Sequence, residues 1–62
     1  MNYRELYDEV VKRKRLLESH HIDTKILEPF LQAIKAQNPE AKIENEDKVK
    51  ETLALWDKTY NS

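Results

Sequence analysis

Not one of the 62 residues is glycine, and that absence narrows the fold more than any motif the chain contains. Type I′ hairpin turns, phosphate-cradling loops and glycine-capped helix ends all draw on a residue that reaches positive φ without steric cost. Valine and threonine are few, and no stretch of six or more residues alternates apolar with polar. Strands are therefore not expected. The chain instead places its apolar residues at three- and four-residue steps, the period of a helix that buries one face.

Three such segments stand out. The first is predicted over about 3–20. Asn2 with Glu5 three residues on reads as a capping box, each side chain meeting the other residue's backbone N–H. Tyr3, Leu6, Tyr7, Val10, Val11 and Leu17 then share a face. Lys14 interrupts that stripe and is expected to carry its ammonium outward along the helix edge. Arg4–Asp8, Asp8–Lys12 and Glu9–Arg13 fall at i,i+4 spacing for surface ion pairs. Propensity drops at Ser19 to His21, so the helix is expected to fray there.

A second helix is predicted over about 24–37, with Asp23 or Thr24 as its cap and Ile22 with Leu27 as a hydrophobic staple. Ile26, Leu27, Phe30, Leu31 and Ile34 form its apolar stripe. Pro29 removes a backbone donor, which predicts one helix with a bent start; the alternative is a separate turn over 23–28 with regular helix from Pro29. Asn38-Pro39 closes the segment, because the residue before proline avoids the α region. Ile43 is expected to fold back over the core. Asn45 then caps a third helix over about 46–60, with Glu46 and Asp47 complementing the dipole and Val49, Leu53, Trp56 and Tyr60 along one seam.

Short connections make consecutive helices antiparallel. The expected fold is all-α: a single domain over 1–62, a small up-down-up three-helix bundle. Its core is expected to hold Leu6, Val10, Leu17, Leu27, Phe30, Leu31, Ile34, Val49, Leu53 and Trp56. A core this small rarely supplies more than ~3–5 kcal/mol, and a chain without cysteine has neither disulfides nor thiolate metal sites to add. Unusually good helix packing and completion by a second copy are the remaining devices.

Charge and hydropathy restrict the partners. Eleven basic residues balance twelve acidic ones, for a net charge of −1, which disfavours a dedicated nucleic-acid binder. No apolar run approaches membrane-spanning length. A cytoplasmic protein of bacterial or phage type is expected. The run Lys12-Arg13-Lys14-Arg15 resembles a phosphate-binding patch, yet successive helical residues point about 100° apart and form a collar rather than a stripe. Glu18, His20, His21 and Asp23 cluster near the first turn, but adjacent histidines diverge and no metal or other cofactor is expected. Ser19 beside His20 is poorly placed for a nucleophile–base pair, and a thin bundle has little room for a substrate pocket. No enzymatic activity and no small-molecule substrate are expected.

Protein interaction is the function this pattern favours. Leu16 and Leu55 sit off the main apolar stripes, where a monomer would leave them exposed. Residues 12–15 carry +4, while Glu40, Glu44, Glu46 and Asp47 against Lys42 give −3 over residues 40–47. An up-down-up bundle puts those two charges at opposite ends, so an antiparallel homodimer would pair them. The expected contact residues are Leu16, Leu55, Lys12, Arg13, Arg15, Glu44 and Glu46. The expected function is a small regulatory or adaptor protein that docks a helical face on another protein or on itself. A DNA-binding regulator with a helix-turn-helix-like bundle is one alternative, and a small structural or scaffold subunit is the other.

Overall fold

The computed structural model describes residues 1–60, with the side chain of Tyr60 outside the described part. Three helices follow in order: α1 (Tyr3–Ser19), α2 (Leu27–Lys35) and α3 (Glu46–Tyr60). Among the described residues there is no named strand; Asn2 and Lys42 form an isolated antiparallel bridge.

All four orphan donors at the start of α1 find acceptors. The Asn2 N–H donates to Glu5 Oε1 and the Glu5 N–H to Asn2 Oδ1, completing the capping box. The Tyr3 and Arg4 N–H groups donate to the carbonyls of Ala41 and Pro39, each at 3.2 Å. The 38–45 connection thus lies against the N-terminus of α1 and serves as part of its cap. Asn38 Oδ1 accepts from the Glu40 N–H, which tightens the turn that carries Pro39. Ile43 is half-buried against the core.

The regular helix of α1 stops at Ser19, and backbone hydrogen bonds close its end. The Ile22 N–H donates to the Leu17 carbonyl and the His21 N–H to the Glu18 carbonyl, both at 3.0 Å. This is a Schellman closure, and it requires a left-handed residue at the position where glycine is usual. With no glycine in the chain, His21 takes it, at φ 62°.

The second helix is shorter than its sequence pattern predicts. Asp23 Oδ1 accepts from the Lys25 N–H, forming an Asx turn rather than a helix cap. The Leu27 and Glu28 N–H groups then donate to the Thr24 and Lys25 carbonyls, and α2 begins without a side-chain cap. Pro29 becomes the third helical residue, where an N–H has no intrahelical acceptor anyway. It therefore deletes no ladder bond, and the reason for expecting a bent start disappears. At the start of α3, the Asn45 carbonyl accepts the first ladder bond, from the Val49 N–H.

Up-down-up topology follows from the cross-helix ion pairs. Lys14 Nζ of α1 meets Glu28 of α2 at 2.8 Å, and Arg4 meets Glu40 just beyond α2's far end, so α1 and α2 are antiparallel. Lys14 thus bridges two helices rather than simply pointing outward, and Glu28 holds its pKa above the ordinary lysine value. The Met1 amine meets Glu46, and Arg13 meets Asp57, pairs 45 and 44 residues apart. That near-constant offset makes α3 parallel to α1 and fixes its register.

Leu6, Val10, Leu31, Ile34 and Leu53 form the buried centre, with Val49 and Trp56 partly buried against it. Leu17 is also buried and Leu27 half-buried. Phe30, expected in the core, is 47% exposed. The reason is angular. Leu27, Leu31 and Ile34 face α1, while Ile26, Phe30 and Ala33 lie roughly a quarter turn round the helix.

Candidate interaction face

Helices α1 and α2 approach with Cα atoms inside 8 Å, but among the described residues no Cα of α3 comes that close to either. Long side chains span the distance. Arg13 reaches from α1 with Nε and Nη2 donating to the two Asp57 carboxylate oxygens at 2.9 and 2.8 Å. Its Nη1 donates to the Glu9 carbonyl and to Glu9 Oε2 at 2.9 and 2.7 Å. This bidentate fork is a geometry lysine could not supply. Partial burial works against the guanidinium charge, but hydrogen bonds to Asp57 and then to Glu9 outweigh it and raise the Arg13 pKa. The Arg13 and Lys12 hydrogen bonds hold the Glu9 carboxyl below its ordinary value.

Between α2 and α3 the separation is left open as a furrow of about 530 Å³. Leu6, Ile34 and Leu53 form its buried floor, and Phe30, Ala33, Lys48 and Thr52 reach its rim. A second hollow of about 350 Å³ continues toward the α1–α2 turn, lined by Ile22, Asp23, Ile26, Leu27 and Leu55 among others. Thr52 and Trp56 belong to both, so the two hollows form one strip along the α2–α3 seam. Its large apolar members are unusually open: Ile26 is 84% exposed, Leu55 64% and Ile22 41%. The Thr52 and Thr59 hydroxyls donate to the Lys48 and Leu55 carbonyls, each at 2.9 Å. Both donors are satisfied inside α3, which lowers the cost of covering the strip.

The contact residues expected from sequence are scattered by the fold. Leu55 lines the strip; Leu16 is exposed on α1 but lines neither hollow. Lys12, Arg15 and Glu44 are at the surface, with Lys12 held 3.3 Å from Glu9. Arg13 and Glu46 were expected to meet a partner, but their charges are used within the chain. Arg13 grips Asp57 and Glu9, while Glu46 binds the Met1 amine and sits 3.5 Å from Lys50. The amine's hydrogen bond is the main cause of the lowered Glu46 pKa. Of the three expected i,i+4 pairs on α1, Glu9–Arg13 forms, whereas Arg4 turns to Glu40 and Lys12 to Glu9.

Sequence reasoning missed Ile22, Ile26 and Phe30 as an exposed set. The four-residue step from Ile26 to Phe30 was the available signal: beside Leu27, Leu31 and Ile34 it gives the segment a second apolar face, more than one core contact can bury, whereas Ile22 lies ahead of the Asx turn and carried no such signal. Among the described residues, no group of three His, Cys, Asp or Glu side chains could hold a metal ion. No helix there is long and apolar enough to cross a membrane. Compared with protein families, curated proteins and solved structures, the chain matches none.

Proposed function

We propose that this chain is a small, non-catalytic regulatory or adaptor protein of the cytoplasm, which works by docking the α2–α3 strip on protein. One observation carries the reading: Ile22, Ile26, Phe30 and Leu55, four of the large apolar residues left exposed, gather around one continuous furrow. Scattered exposed leucines are ordinary, but a contiguous apolar strip marks an interaction site. The strip is also poor in charge. Its lining carries Lys48 and Asp23 as its charged members, in a chain with 37% charged residues. Depletion of charge at the centre of a patch is the compositional mark of protein interfaces.

Nucleic acid is the weaker reading because the basic run is largely occupied. Lys12, Arg13 and Lys14 each hold a carboxylate of this chain, which leaves Arg15 as the member without an ion pair among the described residues. Affinity capture from a lysate of the source organism tests the proposal, comparing wild type with an Ile26→Asp, Leu55→Asp double variant. Both sites are solvent-exposed, so circular dichroism should show the variant still helical. A protein retained by wild type, a second copy of this chain included, and lost from the variant is the expected result. Equal retention by both, or recovery of nucleic acid alone, contradicts it.

A further inference from the structure

The two charges on the strip lie at opposite ends. Lys48 belongs to the first turn of α3, near Asn45, and Asp23 to the α1–α2 turn, beside Thr59 near the end of α3. The residues common to both hollows, Thr52 and Trp56, mark the middle. A two-fold axis through that middle lays the strip on a second copy of itself with its direction reversed. Each Lys48 then faces the other copy's Asp23, Ile26 and Leu55 are covered, and the two α3 helices run antiparallel, which also opposes their dipoles favourably.

We infer that the occupant of the α2–α3 strip is a second copy of this chain, in a two-fold dimer whose register is set by two Lys48–Asp23 pairs. The inference rests on the docking reading above and gives it a partner. Self-complementarity is the reason for choosing a second copy. A cation and an anion at opposite ends of one apolar strip match that strip's own reverse, which is the requirement an isologous interface imposes. The pairing uses different residues from a dimer joined by the collar at 12–15 and the acidic segment at 40–47. Arg13 and Glu46 stay in their internal ion pairs.

Sedimentation equilibrium across about 10 μM to about 1 mM tests this. Wild type is expected to dimerise within that range, Ile26→Asp to be monomeric throughout, and Leu16→Asp, which lies off the strip, to dimerise like wild type. Charge reversal gives a readout that loss of folding cannot imitate. Lys48→Glu alone and Asp23→Lys alone each set two like-charge pairs across the axis, and each is expected to dimerise roughly tenfold more weakly. Mixed together, the two variants regain opposite charges at both ends, so native mass spectrometry is expected to show the mixed dimer over either parent dimer. A helical wild type that stays monomeric to about 1 mM, or a dimer disrupted by Leu16→Asp but not by Ile26→Asp, overturns the inference. If such a monomer still captures another protein in an Ile26-dependent way, the docking reading stands and the second copy alone is wrong. Capture indifferent to Ile26→Asp removes the docking reading instead.

Discussion

His21 shows what a glycine-free chain must accept. Its left-handed backbone at φ 62° closes α1, a conformation that costs a residue with a β-carbon roughly 1–2 kcal/mol. Glycine would remove that cost but add about 0.5–1 kcal/mol of chain entropy on folding. His21→Gly is therefore expected to raise stability by up to about 1 kcal/mol, read as a higher midpoint in urea unfolding. The opposite end of α1 is already well made. Asn2→Ala breaks the capping box and is expected to lower the same midpoint by about 1 kcal/mol. Asn2 and Glu5 announced their role through a three-residue spacing. His21 could not, because the left-handed position depends on where the helix stops, which sequence periodicity leaves open by a residue or two.

At the scale of elements, α3 is the part held least by backbone proximity and most by side chains. Arg13 supplies the ion pair that ties it to α1. Arg13→Ala is expected to loosen α3 by about 1–2 kcal/mol, a range that allows for the half-exposed Asp57 carboxylate. Trp56, the only tryptophan, reports the change through a red-shifted emission. An unaltered emission maximum and midpoint would show that the fork is ornamental. The pH dependence follows from Glu9 and Glu46, whose carboxyls are both depressed from the ordinary 4.5. A depressed acid contributes stability above its unfolded pKa and loses it as pH falls through the folded one. Loss of stability is therefore expected to begin near pH 4.5 and to grow below it, with Glu46→Gln flattening the part that loosens the start of α3 and Glu9→Gln the part carried within α1.

These elements also show which parts of the fold the sequence made legible. The helix count, their order, the topology and the extent of α3 could be read from periodicity, because each helix buries a face at helical spacing. The start of α2 could not. Asp23 and Thr24 are good caps by type, but Asp23 forms an Asx turn and the helix waits until Leu27. Nor could the fate of individual charges. Arg13 and Glu46 looked like surface residues until the register of α3 brought Asp57 and Met1 against them. Long-range pairs of this kind depend on tertiary placement, and no local spacing encodes them.

For the molecule as a whole, the furrow results from how α3 is mounted. Arg13 and Trp56 fill the separation from the α1 side and the core, while among the described residues none closes its α2 side. Leu55 was recognisable as stranded from its place on α3. Its companions were not: Ile26 and Phe30 read as part of one stripe with Leu27, Leu31 and Ile34, and Ile22 as a staple to Leu27. The central claim is that this strip, rather than the basic collar of α1, is the working face. A concentration series of backbone amide NMR spectra tests it most directly, from about 10 μM to about 1 mM. Shifts are expected to move at Ile22, Ile26, Phe30, Thr52 and Leu55, with Lys12, Arg15 and Leu16 unchanged. Shifts centred on Lys12, Arg15 and Leu16, with the α2–α3 strip silent, would contradict it.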